Sequence, residues 1–160
     1  MNSKLVMVMV IALLSGACNQ SVVRSVEFDS TVPEDHQALF MYAMGEWNDK
    51  LSREHGITLV LGKGDIVVNE VSGSVLGHGH SGMAYWGSRS TISLYKDLGL
   101  DWNFYTEKFT PAMAYTNVSM HELGHILSER NDHIEKGNVM YSGLSEVIEL
   151  TQADVDYVTK

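Results

Sequence analysis

The chain is short of cysteine, of basic residues and of long apolar runs. Cys18 is the one cysteine in 160 residues, so neither an intramolecular disulfide nor a thiolate zinc cluster can form. Lys and Arg number 11 against 20 Asp and Glu, a formal net charge of −9. A nucleic-acid binder needs a basic face, and this balance all but excludes one. The apolar run from Leu5 to Leu14 is ten residues long, too few to span a bilayer. No internal repeat, low-complexity tract or second domain boundary interrupts the sequence. Intrinsic disorder is disfavoured too, since 44% of the chain is hydrophobic and 9% aromatic, enough apolar surface to build a core.

What is there begins with a leader. Lys4, the apolar run, and then Ser15, Gly16 and Ala17 have the layout of a secretory signal peptide over residues 1–17. Its removal takes away Lys4 and moves the net charge from −9 to −10. Leu14-Ser15-Gly16-Ala17-Cys18 resembles a bacterial lipoprotein cleavage box, in which the cysteine becomes the lipid-bearing first residue. Such boxes usually carry Leu three residues before the cysteine, where this chain has Ser15; ordinary cleavage near Ala17 is the alternative. The expected organisation is a signal peptide (1–17), a lipidated Cys18 with a short tether (18–25) and one domain (26–160). The protein is expected to be an exported monomer, anchored in the cell envelope at the outer membrane or periplasmic face through Cys18, or otherwise secreted.

Within that domain, Val26-Glu27-Phe28 reads as a first strand. Pro33 suits a first helical turn and is followed by Glu34 and Asp35 at the favourable end of the dipole. Leu39, Phe40, Ala43, Met44, Trp47 and Leu51 then recur at three and four residues, which predicts an amphipathic helix ending near His55-Gly56. Ile57–Leu61 and Asp65–Val71 are short β-branched runs around Gly62-Lys63-Gly64, and Ser90–Tyr95 is another strand. A second helix is predicted from Thr116 or Asn117 to about Ser128, after an aromatic loop over Asp97–Pro111. The last runs from Leu150 to Val158, with Thr151 as N-cap and Asp154 in its first turn. This order reads as α+β or α/β around one mixed sheet.

The second helix contains His121-Glu122-Leu123-Gly124-His125. Residues four apart share a helix face, so His121 and His125 can present two imidazoles to one metal ion. Glu122 lies roughly 100° round the axis, placed to reach a water beside that metal without ligating it. These are the parts of zinc hydrolysis, a Lewis acid with a carboxylate that takes a proton. A solvated helix face bearing two histidines is the plain alternative.

The stretch from His121 to Tyr141 resembles the metzincin metallopeptidases, whose signature is HExxHxxGxxH followed by a methionine turn. The family glycine falls on Ser128 and the family's third ligand on Asn131, a poor zinc ligand. If the helix runs further and the chain turns at Asn131, His133 swings back to the metal; Asp132 competes, because a minority of the family uses Asp. Asn138-Val139-Met140-Tyr141 is similar to the methionine turn, with Met140 beneath the zinc-binding imidazoles and Tyr141 following as in matrixins. The resemblance implies an α+β, zincin-like domain with one twisted mixed sheet, a long N-terminal helix, a zinc-site helix and a C-terminal helix. It further implies a zinc endopeptidase with Zn2+ on His121, His125 and His133, Glu122 as general base, and a peptide or protein substrate lying along an edge strand at Gly82–Trp86. His78 and His80 fall where matrixins hold a second zinc, but the accompanying ligands are not evident, so an exposed loop is expected. His36 and His55 read as surface or capping residues. Two other readings remain: a metzincin-fold binding lipoprotein with a degraded site, and a structural lipoprotein whose HExxH is accidental.

Overall fold

The computed structural model describes residues 21–72, 81–96, 110–143 and 147–160. Among them are five strands, β1 (Val22–Phe28), β2 (Ile57–Leu61), β3 (Ile66–Val71), β4 (Gly82–Tyr85) and β5 (Ser90–Tyr95), and three helices, α1 (Glu34–Leu51), α2 (Pro111–Ser128) and α3 (Gln152–Thr159). The strands form one mixed sheet in the order β2-β1-β3-β5-β4. Neighbours are parallel except β4, which runs antiparallel to β5 and ends the sheet.

Alternation explains which face is covered. Ile66, Val68 and Glu70 on β3, with Ser90, Ile92 and Leu94 on β5, point one way and are buried, while the residues between them are half-buried. On the buried side, α1 contributes Phe40, Ala43, Met44, Trp47 and Leu51, the stripe its spacing predicts. Trp47 is fully buried, and its indole N–H donates to the Met120 carbonyl of α2 at 3.0 Å. The amide of Asn48 reaches the sheet's other edge, donating to Leu59 O (2.9 Å) and accepting from Leu59 N (2.7 Å). That pairing satisfies backbone groups which an edge strand would otherwise leave bare.

α1 ends at Leu51, short of the expected His55-Gly56, and α3 starts at Gln152 rather than the expected Leu150; two further elements and one histidine also depart from the sequence reading. β1 begins at Val22 rather than Val26, because residues that read as a polar tether pair in parallel with Ile57–Leu61. α2 begins at Pro111, where the Thr110 side chain accepts from Met113 N and proline occupies the first helical turn. His36 is no simple cap: its Nδ1 lies 2.6 Å from Glu70 Oε1, which also accepts from the Tyr115 hydroxyl at 2.8 Å. The buried Glu70 carboxylate thereby ties the start of α1, the end of β3 and the start of α2 together. Burial and then this hydrogen bond push the Tyr115 phenol upward from its ordinary range. Cys18, His78, His80 and most of the Asp97–Pro111 loop lie outside the described residues.

Candidate metal centre

The chemistry gathers where α2 passes the β4 end of the sheet. A cleft of about 390 Å³ is lined by Ser81–Ala84 on one side, by Asn117, Val118, His121, Glu122 and His125 of α2 on another, and by Asn131, His133 and Tyr141–Gly143 beyond. Helical spacing stacks His121 and His125, whose rings stand edge to face at 4.6 Å. His133 joins them from the following loop, 5.2 Å from His121 and 5.1 Å from His125 between ring centroids.

The chain reaches His133 by a different turn from the one expected. α2 stops at Ser128, whose hydroxyl donates back to the Gly124 carbonyl at 2.8 Å. The left-handed residue is Glu129 (φ 53°), not Asn131. A serine hydroxyl bonded to the last-turn carbonyls competes with a further helical turn, and Arg24 holds the Glu129 carboxylate at 3.3 Å. Asp132, the competitor as third ligand, has its carboxylate engaged by the Arg130 guanidinium, which also holds it below the usual carboxylate range. Asn131 lines the cleft.

The donor set fits a metal ion. His121 Nδ1 lies 2.8 Å from Val139 O, and His125 Nδ1 lies 2.7 Å from Arg130 O. A carbonyl only accepts, so each Nδ1 carries the proton and each Nε2 is left with its lone pair. Those two Nε2 atoms face one another at 3.0 Å. Two lone pairs that close need a cation between them, either a proton or a metal ion. A proton is disfavoured, because burial pushes His121 down to about 4 and lowers His125 as well. One donor atom from each of His121, His125 and His133 lies within 4.8 Å of the others. Tetrahedral ligands ~2.0–2.1 Å from an ion stand roughly 3.3 Å apart, close to the observed pair. The three histidines could hold a metal ion.

Glu122 is the buried carboxyl of the cleft; burial pushes it up to about 8. It packs against β4 at Gly82, where an added Cβ would come within 2.7 Å of Glu122 Oε1 and 2.8 Å of Val118 Cγ1. Only glycine lets the edge strand approach the carboxyl so closely. Met140 is fully buried, its sulfur packed against Gly124 of α2, where an added Cβ would overlap it. The backbone N–H of Met140 donates to Asp154 Oδ1 (2.9 Å), and the other Asp154 oxygen accepts from Thr151 N at the start of α3. One signal for this anchor was present in the sequence, the Thr151–Asp154 cap. Nothing there linked Asp154 to Met140.

No protein-family model matches the chain, and no curated protein matches it by sequence. Among solved structures, that of myroilysin is similar over 66% of this chain at a TM-score of 0.41 and 17% identity. The similar part is 47% of that chain, so this protein spans about half its length.

Proposed function

We propose that this protein is a zinc-dependent endopeptidase with a zincin-like fold, in which His121, His125 and His133 hold Zn2+ and Glu122 is the general base. The observation that carries it is the pair of unprotonated Nε2 atoms meeting at 3.0 Å beside a third imidazole. The resemblance of His121–Tyr141 to the metzincin signature supports zinc over other metals. When bound, zinc supplies a Lewis acid that polarises a carbonyl and makes a water more acidic. Glu122 would take a proton from the attacking water as the water oxygen adds to the scissile carbonyl, then pass it to the amine nitrogen as the C–N bond breaks. In the metal-free protein burial holds this carboxyl protonated; the positive charge of a bound ion would draw its proton affinity down and leave it ionised as a base. β4, at the end of the sheet and along the cleft, offers an extended peptide a backbone to pair with.

Hydrolysis of an unstructured protein such as casein is the test. Activity should vanish after chelation, return with Zn2+, and fall by ~100-fold or more in Glu122→Ala. Zinc binding without hydrolysis by the wild type would favour instead a binding protein on the same fold, which the Ser128 and Asn131 departures would then explain. We also propose attachment to the cell envelope by a lipid on Cys18, for which the Leu14–Cys18 box is the support. Cys18→Ser should release the protein into the soluble fraction, and unchanged membrane association would refute the anchor.

A further inference from the structure

The peptidase reading gives no role to a buried polar side chain of α3 beside the site. Tyr157, on α3 and 4% exposed, directs its hydroxyl at the loop that carries His133. The oxygen lies 2.7 Å from Asp132 O, 3.3 Å from Arg130 O and 3.3 Å from His125 Nδ1. With one proton to give, the hydroxyl donates across the shortest contact, to Asp132 O. Its lone pairs face the N–H of His125, whose main acceptor is Arg130 O. The Arg130 guanidinium lies over the phenol ring, 4.6 Å from its centroid, and grips the Asp132 carboxylate. One side chain therefore touches one ligand histidine and the backbone just before another.

The loop needs such a grip. Residues 129–133 are all exposed and form no helix or strand. They leave α2 through a left-handed glutamate, and the next backbone tie is Ile134 N to Met140 O at 3.0 Å. A ligand on a segment of this kind is only as well placed as whatever holds its backbone.

We propose that Tyr157 is a positioning residue for the metal, its hydroxyl locking the His133 loop to His125 so that α3 sets the affinity of the site. This rests on the three histidines being a metal site. The test measures Zn2+ affinity of the full chain by competition with a chelator, at a temperature where circular dichroism shows every variant folded. Tyr157→Phe keeps the ring and its stacking on Arg130 and removes the hydroxyl. It should bind zinc ~10–100-fold more weakly, while the melting temperature of the metal-free protein changes little. A purely structural role would do the reverse, lowering that melting temperature and leaving the affinity of the folded protein alone. In a His133→Ala background, whose residual two-histidine affinity is too weak to survive dialysis but is read against a weaker chelator, most of the effect of Tyr157→Phe should disappear, because its main route is through His133; an undiminished effect overturns the proposal. Equal affinity in wild type and Tyr157→Phe overturns it too, and leaves the metal site standing. A wild type that binds no zinc, or whose binding His121→Ala does not weaken, overturns the site and this inference together.

Discussion

His133 is exposed, sits on an irregular loop, and yet lays its ring nearly parallel to that of His121, at 18°. Asp132 is occupied by Arg130, and Asn131 offers only an amide oxygen. His133→Ala should therefore lose zinc and activity while Asp132→Ala and Asn131→Ala keep most of both, as read by metal content after dialysis. Loss of the metal in Asp132→Ala alone would move the third ligand one residue. Glu122 gives a second prediction, for the metal-free protein. Its folded carboxyl is held up at about 8 against an ordinary 4.5, so between those values the folded chain keeps a proton the unfolded chain has lost. Stability from that proton is lost as pH rises toward 8. His121, held down at about 4 from 6.5, acts oppositely, and its penalty is gone above 6.5. From pH 6.5 to 8 the Glu122 effect stands alone of the two: the urea midpoint should fall with pH in wild type and stay flat in Glu122→Gln.

At the scale of elements, what was legible was what repeats locally. The α1 stripe, the runs at Ile57–Leu61 and Ser90–Tyr95, the HELGH helix and the Thr151 cap each declare themselves within a few residues, through a period or a capping pair. What was hidden depends on a partner far along the chain. Val22 to Ser25 are strand only because residues 57–60 lie beside them, and His36 owes its place to Glu70. The turn at Glu129 was missed because glutamate is no signal for a left-handed conformation; the Ser128 hydroxyl and the Arg24 ion pair make it tolerable. α3 shows how an element serves the cleft without lining it. Its fully buried Asp154 accepts from Met140 N and from Thr151. Asp154→Ala strands a buried N–H and removes charge-assisted bonds, so it should cost about 3 kcal/mol in chemical denaturation. Thr151→Ala, which removes the N-cap hydroxyl, should cost about 1 kcal/mol. A cost for Asp154→Ala no larger than for Thr151→Ala would mean that α3 does not anchor the Met140 segment.

For the molecule as a whole, the three histidines come from α2 and the loop after it, and the surfaces that brace them come from β4 and α3. An ion bound there stabilises every part that must be folded to form the site. With free zinc at 1,000 times its Kd the gain is ~4.1 kcal/mol, a rise of about 10 °C in melting temperature for a domain of this size. Calorimetry with and without chelator should show it, and His125→Ala should remove it. The order of elements along the chain bears on the finished site. β1, the earliest strand described, lies between β2 and β3. The grip on the His133 loop comes from α3, which follows every other described element. A chain interrupted before α3 would own all three ligands and still lack the clasp that brings them to bear. On the proposed reading, copies clipped before α3 would take up metal weakly and turn over little substrate.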